Sequence, residues 1–209
     1  MRKMLDGGLI LRSLSEGHAS DRENLGKFYH ETFAAEGDED TNLMIDWTED
    51  LISDKHPTTT LDDIWVIVDP AKDDMIVSAL LLIPQTWRYA DIEFGVGRVE
   101  LVATNKEYRR RGLVRTLITT AHERSAELGH IMQSITGIPH YYRRFGYAFT
   151  VDLGGRSALP VADIPKLKDD QEPQFTLRPA TKDDIPNMIA WSNAYADQCL
   201  LSAVFSQKH

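Results

Sequence analysis

The densest concentration of chemistry in this 209-residue chain is the run Val102-Ala103-Thr104-Asn105-Lys106-Glu107-Tyr108-Arg109-Arg110-Arg111-Gly112-Leu113-Val114-Arg115. Four of the seven residues from Arg109 to Arg115 are arginine, although the chain's formal net charge is −9. The pattern predicts a strand, a tight turn and the start of a helix. A helix start carries free backbone N–H groups and the positive end of the helix dipole, so it attracts anions. Gly112 lets the backbone approach a phosphate closely, and the guanidinium groups add charge-assisted hydrogen bonds. A pyrophosphate is the natural ligand; the alternative is a solvated basic helix start. No Gly-Lys-Ser or Gly-Lys-Thr makes this a Walker A loop, and the spaced glycines of a dinucleotide fingerprint are missing.

Proton-transfer candidates flank this run. Glu100 lies on the strand leading into it, on the opposite parity from Val99 and Leu101. It can accept a proton directly or through water, or it can be a structural carboxylate. His140 is a second candidate base. Tyr142, beside Tyr141 and Phe145, reads as a packed core aromatic. The seven histidines show no ligand spacing on one helix, and the single cysteine, Cys199, excludes an internal disulfide and argues against a Cys-based metal site, so no metal is expected.

The elements that must position these groups follow from periodicity. Leu9-Ile10-Leu11 predicts a short strand. A helix follows, with capping-box spacing at Ser20 and Glu23 and a stripe of Leu25, Phe28, Thr32 and Phe33. A second helix is predicted over 42–52, with Leu43, Met44, Trp47 and Leu51 on one side. Strands are predicted at Ile64–Val68, Met75–Ile83 and Val96–Thr104, the last with Val99, Leu101 and Ala103 on one parity. Leu113 to Leu128 is the clearest helix, stopped by Gly129. A strand at 131–136, a short helix over 139–145 ended by Gly146, and a last strand at 147–153 complete the order β-α-α-β-β-β-α-β-α-β. That alternation predicts an α/β protein, a sheet with helices on its faces.

The stretch 157–174, with three prolines and a charged run from Lys166 to Asp170, reads as a linker. Beyond it, Leu177-Arg178-Pro179-Ala180-Thr181 echoes Leu11-Arg12-Ser13-Leu14-Ser15, each leading into a capped helix. Residues 175–209 are therefore expected to be the start of a second, incomplete copy of the fold, or a tail packed on the first domain, since about 35 residues cannot close a core alone.

Composition narrows the class. Hydrophobic residues make up 42% and charged residues 26%, as in ordinary globular proteins. No apolar run approaches the ~20 residues of a membrane-spanning helix, and the start is no secretory signal, so a cytoplasmic location without membrane association is expected. An acidic chain is a poor nucleic-acid binder and a reasonable host for a cationic substrate, or is simply soluble. A homo-oligomer is left open.

Two segments together carry a family resemblance. Arg109-Arg110-Arg111-Gly112-Leu113-Val114 resembles the acetyl-CoA signature of the GNAT superfamily of N-acetyltransferases, Arg/Gln-x-x-Gly-x-Gly/Ala, departing at Val114, where a small residue is usual. About 30 residues on, Gly137-Ile138-Pro139-His140-Tyr141-Tyr142-Arg143-Arg144-Phe145-Gly146-Tyr147 resembles that family's tyrosine-bearing helix and Phe-Gly-Tyr turn. The pair is most similar to the N-terminal domain of tandem-GNAT acetyltransferases of the enhanced-intracellular-survival type. The resemblance implies a mixed, splayed sheet flanked by helices over 5–156 and acetyl-CoA as cosubstrate without a metal. It implies transfer of the acetyl group to a primary amine by direct attack in a ternary complex. The acceptor would be a small molecule or a protein lysine. The backbone of Val102, Ala103 and Thr104 would pair with the pantetheine arm, and Arg109, Arg110, Arg111, Gly112, Leu113, Val114 and Arg115 would hold the pyrophosphate. An N–H near Val102 would face the oxyanion. Tyr142 would protonate the departing thiolate. A thiol titrates near ~8.5 and a tyrosine near ~10, so this needs a lowered tyrosine pKa, which Arg143 and Arg144 are expected to provide, or a concerted transfer. Phe33 and Trp47 either line an amine pocket or pack in the core. The rival reading is a non-catalytic module that binds acetyl-CoA and reports its level.

Overall fold

The two most apolar runs of the chain, Ile64 to Val68 and Met75 to Ile83, form adjacent strands buried on both faces. Continuous rather than alternating hydrophobicity is what such a position requires. The computed structural model describes residues 1–33, 43–53, 55–138, 140–151 and 178–205. In it β1 (Arg2–Met4), β2 (Ile10–Ser13), β3 (Ile64–Asp69), β4 (Met75–Tyr89) and β5 (Ile92–Thr104) pair antiparallel in chain order. β6 (Met132–Ile135) then joins β5 in parallel, so the sheet is mixed. Helices α1 (Asp21–Phe33) and α2 (Leu43–Leu51) belong to one face, where Leu25, Phe28 and Tyr29 meet Val66 and Leu81. Helix α3 (Leu113–Glu127) covers the other, packing Leu117 and Ile118 on Ile67, Leu80 and Val99. The mixed sheet with flanking helices is the architecture the sequence predicts.

Arg12 fixes α1 to the sheet. Its side chain is 0% exposed, and its Nη2 donates to both carboxylate oxygens of Asp21 at 3.0 and 2.9 Å while Nη1 donates to Asp74 at 3.0 Å. Asp21 also accepts the His18 N–H, which holds the approach to the helix.

The sequence reading needs four corrections. β1 precedes the strand read as the first and pairs with it, so the strand at Ile10–Ser13 is the second of the sheet. β4 and β5 run on past their apolar cores as a long hairpin that turns at Ala90 and Asp91. Residues 147–151 form no strand, and 152–153 lie outside the described residues. Finally, Val99, Leu101 and Ala103 do not share a face. Opposite Leu81 and Ala79 of β4 stand Glu100 and Ala103 of β5, so β5 carries one extra residue there, and Leu101 takes a φ of 50°. This β-bulge puts Val99 on the α3 face but Leu101 and Ala103 on the α1 face.

The expected linker, 157–174, lies outside the described residues. Of the segment 175–209, the described part forms α4 (Ile185–Ala196) and β7 (Leu201–Ala203). β7 pairs antiparallel with Trp87 to Tyr89 of β4, so it extends the first sheet. Arg88 reaches Asp197 at 2.8 Å across the same junction.

Candidate functional site: a groove where two strands part

The bulge decides where the sheet opens. The parallel pairing of β5 and β6 ends at Val99 and Ile135, and a bulged strand bends. Past that point Val102 to Thr104 lie along a groove of about 690 Å³. The opposite wall is made by Ile138, Tyr141, Tyr142 and Phe145, and the end by the start of α3. The Ala103 carbonyl is turned toward β4, where it accepts the Ser78 hydroxyl at 2.8 Å. Backbone groups alternate in direction along a strand, so those of Val102 and Thr104 face the groove.

The turn before α3 is built for a ligand with negative charge. Gly112 is the residue before the helix, with φ 78° and ψ 2°, and having no side chain it offers no cap of its own to the first N–H groups of α3. Arg110 also has a positive φ, 64°, whereas Arg111 does not. Alternation of hand along a turn makes a concavity of N–H groups that suits anions. A left-handed arginine costs on the order of 1–3 kcal/mol, and such strain gathers at ligand clamps. The turn itself is anchored from below. Tyr108 is buried and donates its hydroxyl to Asp69 at 2.6 Å, and the Asn105 side chain accepts the Glu107 N–H at 3.0 Å. The Tyr108 hydroxyl holds the Asp69 carboxyl below the usual carboxylate range.

Of the residues singled out in the sequence for the cofactor, Val102, Ala103, Thr104, Arg109, Arg110, Gly112, Leu113, Val114 and Arg115 all border this groove. Val114 is partly buried against the α3-side core, so its larger side chain is accommodated by packing. Arg111 is the exception. Its guanidinium lies over the Tyr108 ring at 4.7 Å and donates to the Glu107 carbonyl, which turns it away from the groove. Thr32 and Phe33 border the groove, whereas Trp47 does not.

Tyr142 stands on the shared wall of this groove and of a second cavity. It makes edge contacts with Tyr141 at 5.0 Å and Tyr147 at 6.1 Å. Its hydroxyl is pushed up to about 12, first by burial and then by Tyr141 and Glu100. The expected lowering by Arg143 and Arg144 is thus reversed. Those guanidiniums stack on Phe149 and Tyr141 at 5.8 and 5.2 Å, and burial sets the sign. Glu100 is paired with Arg98, Oε1 lying 2.6 Å from Nη2 and 2.7 Å from Nε, and it does not border the groove. Sequence reasoning missed Ile138, Tyr141, Arg144 and Phe145 as groove residues. Their signal was the density of aromatics after Gly137, which reads equally well as core. Among the described residues no cluster of His, Cys, Asp and Glu is arranged to hold a metal ion, and no helix is long and apolar enough to cross a membrane.

A family model described as an acetyltransferase (GNAT) domain matches residues 17–150. Among solved structures, a Trypanosoma brucei acetyltransferase is similar with a TM-score of 0.53 and 19% identity, over 72% of this chain and 99% of its own. N-myristoyltransferase of Saccharomyces cerevisiae, solved with bound myristoyl-CoA, is similar with a TM-score of 0.64 and 14% identity, over 100% of this chain and 53% of its own. A conserved Enterococcus faecalis protein described as a probable N-acyltransferase is similar with a TM-score of 0.52 and 14% identity over 66% of this chain, which spans only 32% of it. At these identities the structures attest the fold. A search of curated protein sequences gives no match.

Proposed function

The chain belongs to the GNAT acetyltransferases, and from that premise we propose that it moves an acetyl group from acetyl-coenzyme A to a primary amine, both bound at once. The observation that carries the proposal is the coincidence of three features: the strand edge freed at the bulge, the uncapped start of α3, and the positive φ values at Arg110 and Gly112. Acetyl-coenzyme A supplies an activated thioester when bound. The outward backbone of Val102 and Thr104 is suited to pair with an amide-bearing arm as a neighbouring strand would. The N–H groups from Arg110 to Arg115 suit a pyrophosphate, and the exposed side chains of Arg109, Arg110 and Arg115 add charge. An N–H near Val102 donates to an oxygen that gains charge during transfer.

Tyr142 keeps its proton at neutral pH, being pushed up to about 12. It therefore begins as a hydrogen-bond donor to the sulfur and gives up the proton only as the sulfur leaves. A thiol near ~8.5 would not take it in a separate step. Glu100 is set back from the groove behind its pairing with Arg98, so it accepts the amine proton through water. The finer kinship, with tandem-domain acetyltransferases of the enhanced-intracellular-survival type, is supported by the repeated Arg–Asp bridge, Arg12 to Asp21 and Arg178 to Asp184.

The test is thiol release with a broad amine panel. Tyr142→Phe is expected to lower kcat by roughly 10²-fold, the scale of general acid catalysis, with acetyl-CoA affinity nearly unchanged. An unchanged kcat would remove Tyr142 from the mechanism. No turnover with any amine, despite acetyl-CoA binding, would favour the non-catalytic module instead.

A further inference from the structure

A second cavity adjoins the cofactor groove. It lies beside the edge of β6 that no other strand pairs with among the described residues, between that strand and residues 147–151, with a volume of about 150 Å³. Its walls are chiefly Trp87, Ile135, Ile138, Tyr142, Phe149 and Val151. Ile138 and Tyr142 also border the cofactor groove, so the two spaces share a wall that carries the tyrosine hydroxyl. The lining also carries Arg143 and His140, which lie against the Phe149 ring at 5.8 and 6.4 Å, and its other polar groups are mostly committed. Tyr147 donates to Gln133 at 2.8 Å and lies 3.3 Å from His122. Among the described residues the Ser134 hydroxyl, also buried here, has no hydrogen-bond partner. The opening is apolar as well, with Ile138, Phe149 and Val151 exposed.

We infer that this cavity receives the acceptor, and that the acceptor is a primary amine on a short chain bearing one aromatic ring, rather than a polycation. The inference rests on the acetyl-transfer reading above. Three properties of the cavity select that class. An apolar cavity of about 150 Å³ holds one benzene-sized ring. No carboxylate lines it among the described residues, so a polyamine would lose the hydration of several charges without a partner. A single amine at the Tyr142 wall is treated differently, because a low-dielectric setting lowers its pKa and favours the neutral nucleophile. The chain's −9 charge draws cations from a distance, and the cavity then selects among them. The N–C bond forms as the C–S bond breaks, and the one proton the neutral amine loses balances the one the sulfur takes.

Calorimetric titration of 2-phenylethylamine into the full chain, without acetyl-CoA, reads the cavity apart from turnover. The structure leads us to expect binding that Ala148→Trp, which fills the cavity, weakens at least ~10-fold while acetyl-CoA affinity is retained. Phe149→Ala, at an exposed ring, is a second variant that leaves the fold intact and is expected to weaken the amine comparably. In turnover, kcat/KM should favour 2-phenylethylamine over spermidine by at least ~10-fold. Acetylation of spermidine with no 2-phenylethylamine binding would overturn this inference and leave acetyl transfer standing. Binding of 2-phenylethylamine that is lost in both variants, with no thiol released by any amine, would instead overturn acetyl transfer.

Discussion

Two segments of this molecule begin alike and end differently. In each, an extended run carries an arginine that bridges to an aspartate at the start of a helix. Arg12 reaches Asp21 with its side chain 0% exposed, whereas Arg178 reaches Asp184 through two bonds of 2.7 Å with its side chain 61% exposed. Even the aspartates work similarly, Asp21 taking the His18 N–H and Asp184 the Thr181 N–H, each three residues back. Yet α1 buries Leu25, Phe28 and Tyr29 against the sheet, while α4 leaves Ile185, Met188, Trp191 and Tyr195 exposed. A few residues suffice to write the local device of extended run, bridge and helix. What the device is worth is set by what lies beneath it: among the described residues α1 stands on a sheet that buries it, and α4 stays exposed.

That contrast can be broken most easily at the arginines. Removing one partner of a buried pair strands the other charge, so Arg12→Ala should cost about 3–5 kcal/mol in chemical unfolding. Arg178→Ala, in water, should cost under ~1 kcal/mol. Equal losses would mean that the two bridges do the same work. The helices offer a second comparison. Leu25→Ala should cost about 2–5 kcal/mol through lost burial and the cavity left behind, and Met188→Ala should stay within ~0.5 kcal/mol. The smallest effect comes from pH. Burial holds His122, in α3, and His130, just after it, below the usual imidazole value. Below about 6.5 the unfolded chain then binds protons that the folded chain does not, so stability falls as pH drops through that value, until the folded histidines also protonate. A melting series from pH 7.5 to 5.5 should show this small loss, and His122→Phe with His130→Phe should remove it. An unchanged slope in the double variant would assign the loss elsewhere.

Much of the fold was legible because its central strands and α3 are long and strongly periodic. What escaped had physical reasons. β1 is Arg2-Lys3-Met4, an exposed edge with no apolar signal. The outer half of the β4–β5 hairpin holds Pro84, Arg88 and Glu93, which break the apolar pattern, while pairing is carried by the backbone. The bulge at Leu101 was invisible because a parity count assumes that every residue of a strand pairs once. The last strand was expected over 147–153, but residues 147–151 line a cavity instead of a ladder. Around the groove, the turn before α3 could be read from Arg109 to Arg115, since glycine and charge are local signals. The turning away of Arg111 could not, because it depends on a buried Tyr108 beneath it. The direction of the Tyr142 shift also eluded the sequence, in which Arg143 and Arg144 are adjacent but burial is unseen.

The central claim is that the groove at the start of α3 holds acetyl-CoA, and calorimetric titration of acetyl-CoA into the wild type and Gly112→Asp tests it most directly. Aspartate tolerates the left-handed conformation better than most residues, so the variant should fold while placing a carboxylate where phosphate would lie. Micromolar binding by the wild type, weakened at least ~10-fold in the variant at a similar Tm, is the expected result. Equal affinities, or no binding by the wild type, would contradict it.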